Sequence, residues 1–151
     1  MSGASGSSGT SGGIGPIGLS GVSGYSGSLG SLFDIENVIM DYGGDAIPVG
    51  AKGVIRIGYN AKIVEATLLS ENVGSINIDI WKSTYAAYPP SLSGSIVGPT
   101  DLLSLTNAIS YTDTALTGWN TTINAGDILR FYVSSNSGVS RLTVALKLQR
   151  T

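Results

Sequence analysis

The chain has 151 residues, with ten acidic and eight basic side chains and a formal net charge of −2. It contains no cysteine and no histidine, which excludes disulfides, thiolate and imidazole metal sites, cysteine nucleophiles and every histidine-based triad. No basic patch follows from this balance, so nucleic acid is not an expected partner, and no apolar run approaches the roughly 20 residues of a membrane helix.

Glycine recurs at every third position from the start. Gly3, Gly6, Gly9, Gly12, Gly15, Gly18, Gly21, Gly24, Gly27 and Gly30 share one register, and only Gly13 in that stretch departs from it. Three polyproline-II-like chains need this spacing, because only glycine fits at their crowded axis. The register predicts a collagen-like triple-helical stalk over residues 1–31, and hence a homotrimer. An ordered rod of that length measures roughly 90 Å at about 3.1 Å per residue.

Two other readings compete: a flexible Gly/Ser linker or tag, and bundled polyglycine-type helices. A tag accounts for MSGASGSSG. It does not account for GIGPIGLSGVSGYSGSLGS, which holds the register while carrying Ile, Leu, Val and Tyr. Pro16 is the one proline of the repeat, far below collagen composition. The ordering entropy of such a stalk is hardly offset from within, so the following domain is expected to trimerise first and hold the three strands together. Ile14, Ile17, Leu19, Val22, Tyr25 and Leu29 make the second half of the repeat apolar. They either shield one another between chains or dock on a further protein or on the base of the following domain. The first residues lack the basic and apolar regions of a signal peptide.

Residues 32–151 have the length of one domain and read as all-β. Strands are expected near 33–40, 53–59, 62–70, 74–83, 127–135 and 139–149, where Val, Ile, Leu and aromatics concentrate between Gly, Asn, Ser and Pro clusters. In SINIDIWK, Ile76, Ile78 and Ile80 alternate with Asn77, Asp79 and Trp81, the period of a half-buried strand. Turns are signalled at Tyr42–Asp45, Asn124–Asp127 and Asn136–Gly138. Residues 84–115 read as an irregular excursion, with an ambiguous short helix near 101–108. Some eight strands and one long excursion point to a jelly-roll-like β-sandwich.

Carboxylates are the one catalytic side-chain type present in number: Asp34, Glu36, Asp41, Asp45, Glu65, Glu71, Asp79, Asp101, Asp113 and Asp127. A glycosidase needs two of them flanking a sugar bond, and no pair stands out, so no enzyme is expected. Asp41 and Asp45 bracket a turn, but a calcium loop needs more ligands. Asp127 is expected to cap its own turn. No metal or cofactor is expected. The aromatics carry more. Trp81, Tyr85 and Tyr88 stand beside Pro89 and Pro90, and Trp119 follows Gly118. Aromatic faces beside Asn, Ser and Thr suit sugar stacking, which makes Trp81, Tyr85, Tyr88 and Trp119 candidate surface binding residues. Trp81 and Trp119 equally suit the core or a trimer seam, where aromatics also concentrate.

The ordered set IDIWKSTYAAYPPS, LTGWNTTINAGDILRFYVSS and VSRLTVALKLQRT, over about residues 53–151, resembles C-terminal domains of bacteriophage fibre proteins. A Gly-x-y stalk before such a domain agrees with that resemblance. It implies a trimeric β head on a thin stalk, displayed outside the virion and contacting a host surface glycan or protein. The stalk would join other virion proteins. The alternatives are a capsid or tail decoration protein with a purely structural role, and a secreted collagen-like adhesin.

Overall fold

The structure is a computed structural model and describes residues 32–151. The glycine register from Gly3 to Gly30 lies outside the described residues. Seven strands follow in order: β1 (Phe33–Asp41), β2 (Gly50–Arg56), β3 (Ala61–Ser83), β4 (Leu103–Asp113), β5 (Thr122–Ile123), β6 (Ile128–Ser137) and β7 (Arg141–Arg150). A 3-10 turn at Leu92–Gly94 interrupts the long connection from β3 to β4.

Two of the expected strands, 62–70 and 74–83, are one strand. β3 runs 23 residues through both, and it organises the whole fold. Along one edge it pairs first with β7, from Ala61 to Ser70, and then with β6, from Ser75 to Ser83. Along its other edge it pairs with β5 at Ala61–Lys62 and with β4 from Ala66 to Ile78. All these pairings are antiparallel. β1 extends the β7 side and β2 extends the β6 side. The result is one all-β sheet of seven strands, curled into a half-barrel consistent with a jelly roll. Two separate sandwich sheets are not formed, because β3 and β4 continue through both halves.

The bend between the halves falls where the β3–β4 register shifts, between Leu69 and Ile76. Bulges of this kind increase twist and turn a strand. Gly74 sits in the bend with no room for a side chain: a Cβ there would stand 2.7 Å from Val139 Cγ2 and 2.9 Å from the Ser137 carbonyl oxygen. The β6–β7 turn therefore lies directly on the bend. Asn72 holds that turn, its Oδ1 accepting from Ser140 N at 3.2 Å and Ser140 Oγ at 3.0 Å. The two end strands approach each other without pairing, Val38 of β1 lying against the bare backbone of Gly53 in β2.

The concave face is the core. Ile63, Ala66 and Leu68 from the first half of β3 join Ile76, Ile78 and Ile80 from the second, all buried, with Leu103, Leu105, Phe131, Val133 and the Leu142–Leu148 alternation of β7. Period-two alternation puts these side chains on one face of a pleated strand. The helix considered near 101–108 is instead the start of β4. Leu103 and Leu105 are buried and Ser104 between them is not, so the spacing is that of a strand, and hydrogen bonding to the already alternating β3 decides it. β2 begins and ends three residues before the expected 53–59, because Ile57 leaves the ladder to enter the core while its N–H bonds the Asp127 carbonyl at 2.9 Å.

Candidate functional site

The second half of β3 points Asn77, Asp79 and Trp81 away from the core, as their alternation requires. On the neighbouring strand β6, Tyr132 lies opposite Asp79 and Arg130 opposite Trp81. The diagonal pair meets: the Trp81 and Tyr132 rings stack with centroids 4.5 Å apart and planes inclined by 20°. Such diagonal cross-strand neighbours are within reach of aromatic side chains.

Asp79 is only 6% exposed, although it lies on the outward face. Both its oxygens are used. Trp81 Nε1 donates to Oδ2 at 2.7 Å, and Ser95 Oγ donates to Oδ1 at 2.7 Å. A carboxylate taken out of water needs such donors. Asp79 thus orients the indole and fastens the returning chain at Ser95. Two further contacts complete that fastening. The Ile96 N–H donates to the Ile80 carbonyl at 2.8 Å. Gly94 packs against the Lys82 backbone so closely that no Cβ could be placed there. Ile96 and Val97 then enter the core.

This anchoring leaves residues 84–92 as a loop whose residues 84–89 are exposed and whose Pro90 is tucked in. Its first turn closes through Ala87 N to the Thr84 carbonyl and Tyr88 N to the Tyr85 carbonyl. The Tyr88–Pro89 peptide bond is cis. Arg130 Nη1 reaches up from β6 to the Pro90 carbonyl at 3.3 Å. Tyr85 is 76% exposed and Tyr88 53% exposed. The guanidinium of Arg56 lies 6.0 Å from the Tyr85 ring centre, a cation–π distance. The loop therefore offers two exposed tyrosines, with Arg56 beside Tyr85, and it leaves the strand end that carries the Trp81–Tyr132 stack. Planar apolar faces next to hydrogen-bonding groups can stack on a sugar ring while holding its hydroxyls.

Of the four candidate residues, Trp81, Tyr85 and Tyr88 belong to this strand end and its loop. Trp119 does not. It packs against the core and lines a separate open depression of about 380 Å³ with Lys62, Val64, Leu116 and Thr121. Its Nε1 is buried without a hydrogen-bond partner. The sequence reading missed Arg56, Ser95, Arg130 and Tyr132. The last two carried a usable signal, since alternation along ILRFYVSS sets them on the face opposite Leu129, Phe131 and Val133. Arg56 carried a partial one, its place between Ile55 and Ile57 at the end of β2 setting it outward, whereas Ser95 carried none, because only the returning loop brings it to the site.

Most of the other carboxylates hold the chain itself together. Asp34 pairs with Arg150 at 2.6 Å, and that hydrogen bond keeps its carboxyl below the usual range. Glu36 accepts from the Tyr59 hydroxyl at 3.1 Å. Asp113 Oδ1 accepts from Ala115 N and Leu116 N. Asp127 caps its turn as expected, accepting from Asn124 N at 2.9 Å, with Lys82 Nζ 3.9 Å away. Asp41 accepts from Gly43 N at 2.9 Å. Among the described residues, no group of three or more carboxylates is placed to hold a metal ion.

No protein-family model matches the chain, and no curated protein matches it. Among solved structures, it is similar to RmlC from Streptococcus suis in complex with dTDP-D-xylose, at 6% identity and a TM-score of 0.24 over 78% of this chain and 45% of that one. It is also similar to a structure of infectious bursal disease virus, Gx strain, at 10% identity and a TM-score of 0.27 over 81% of this chain and 35% of that one. The chain thus spans less than half the length of either structure. Likenesses of this degree leave fold and function to be read from the chain itself.

Proposed function

We propose that the chain is a homotrimeric, non-enzymatic virion fibre protein whose β head adheres to the host surface. The observation that carries this reading is the unbroken glycine register from Gly3 to Gly30 immediately before an all-β head. A strict third-residue glycine serves three wound chains. Residues 1–31 form the stalk that joins other virion proteins, and the head is borne outside the particle. Adhesion is supported by the exposed Tyr85 and Tyr88 on one short loop, with Arg56 beside Tyr85, a surface suited to glycans. Three copies around one axis raise avidity without a tight single site. A non-catalytic role is supported by Asp34, Glu36, Asp41, Glu71, Asp79, Asp113 and Asp127, whose partners are the chain's own backbone and side chains.

The test is binding of the purified full chain to host cells and to a glycan array, compared with Tyr85→Ala/Tyr88→Ala. The expected result is a loss of binding of tenfold or more with an unchanged melting temperature, since both side chains are exposed. Binding of the double variant equal to wild type removes the adhesive loop. No binding by wild type at all favours the decoration role.

A further inference from the structure

The sheet face beside the aromatic loop carries two arginines that no carboxylate pairs with among the described residues. Alternation sets Val54 and Arg56 outward on β2, and Arg130 and Tyr132 outward on β6. Val54 lies opposite Arg130, and Arg56 opposite Ile128. Arg56 and Arg130 are therefore diagonal neighbours, a separation of about 7–8 Å along such a ladder. Both reach the same loop. Arg56 stands 6.0 Å from the Tyr85 ring centre, and Arg130 Nη1 donates to the Pro90 carbonyl at 3.3 Å.

The charges of this face are not balanced from within the chain. The ion pairs among the described residues belong to Lys82, Arg141 and Arg150. Two carboxylates stand at neighbouring positions, and both are already engaged. Asp79 is diagonal to Arg130, but its oxygens take Trp81 Nε1 and Ser95 Oγ. Asp127, just before Ile128, accepts from Asn124 N and faces Lys82. From Thr84 to Thr100 the chain has no charged residue. Two like charges thus meet at one loop, in a chain whose formal net charge is −2. Charges so placed repel each other, and an anion between them would offset that. Hydrogen-bonding capacity is left over as well. Arg130 Nε and Ser83 Oγ are buried without a partner, and Ser83 lies opposite Ile128, in the row of Arg56. Buried polar groups ordinarily have partners, so this patch keeps polar groups that the chain itself does not use.

We infer that the loop site takes an acidic sugar, one whose ring carries a carboxylate. The inference rests on the adhesive reading above and names its ligand class. Tyr85 presents an apolar face for the sugar ring. Arg56, exposed beside it, presents a planar fork whose parallel N–H donors fit a carboxylate. Arg130, one strand further into the sheet, adds a second charge where water screens it less. A neutral sugar leaves both guanidinium charges uncompensated, so the site selects by charge.

The experiment is a glycan array of carboxylated, sulfated and neutral sugars, probed with the purified full chain. Carboxylated glycans are expected to bind about tenfold more tightly than their carboxyl-reduced forms, the worth of one charged hydrogen-bonded contact. That margin should shrink as salt is raised. Arg56→Gln is expected to remove it at an unchanged melting temperature, because the side chain is exposed. Arg56→Lys keeps the charge without the fork and should restore only part of it. Lys62→Gln removes an equal charge at an exposed position on the first half of β3 and should change nothing. A margin that survives Arg56→Gln, or falls as far with Lys62→Gln, overturns the site. Sulfated glycans bound in preference to carboxylated ones overturn the carboxylate. Neutral glycans bound as tightly as acidic ones, with Tyr85→Ala/Tyr88→Ala still impaired, overturn this inference and leave the adhesive loop standing. Binding to host cells without binding to any glycan does the same for adhesion in general. No binding to cells or to the array removes the adhesive reading, and this one with it.

Discussion

The two halves of β3 have matching inner faces and opposite outer ones. Inward, Ile63, Ala66 and Leu68 bury as fully as Ile76, Ile78 and Ile80. Outward, the first half presents Glu65, Thr67 and Leu69, with Leu69 49% exposed, whereas the second half presents Asn77, Asp79 and Trp81, with Asp79 6% exposed. The second half is sealed by its own chain, which returns after Ser83 and is fastened at Ser95. The first half receives no such return. Alternation therefore builds one core from both halves. The path of a single connection decides which outer face is sealed within the chain and which stays open.

The largest effects should be equal in the two halves. Leu68→Ala and Ile80→Ala, one from each, should each cost about 2–5 kcal/mol, as buried Leu or Ile truncations do. Denaturant midpoints check this, and a much smaller cost for Leu68→Ala would show that the halves do not share one core. The outer faces should differ. Asp79→Ala leaves Trp81 Nε1 and Ser95 Oγ without an acceptor, at a cost of about 1–3 kcal/mol. Thr67→Ala on the open half removes one exposed hydroxyl contact, to Thr112 at 3.1 Å, and should stay within about 0.5 kcal/mol. Equal costs would break the contrast between a sealed face and an open one.

The smallest effect is electrostatic and belongs to the open half. Tyr59, just before β3, is held by desolvation and by its hydrogen bond to Glu36, which push its hydroxyl from 10.0 to about 12. Arg150 stacks over its ring at 4.1 Å. A phenol with a raised value in the folded chain contributes stability that is full below pH 10.0 and lost as pH rises toward about 12. Phenolate absorbance during an alkaline titration should show one late tyrosine, missing in Tyr59→Phe. Its titration near the ordinary value would mean that β1 is not fixed against this corner.

The strands and the inward residues were legible from period-two alternation, because that signal is local and each residue reports its own face. SINIDIWK and the final strand both read this way. What local pattern could not reveal was that 62–70 and 74–83 are one strand, since Glu71–Gly74 resembles a turn until the β6–β7 turn is packed on it. Nor could it reveal β4, because Leu103 and Leu105 take their meaning from pairing with β3. Composition by itself removed disulfide, thiol and histidine chemistry, and glycine spacing by itself set the expectation of three chains. Tertiary structure alone decided that Asp79 is buried, that Tyr85 and Tyr88 are displayed, and that β1 turns its apolar side outward. Those outcomes depend on which distant segment covers a face, and burial is a property of that covering rather than of the residue.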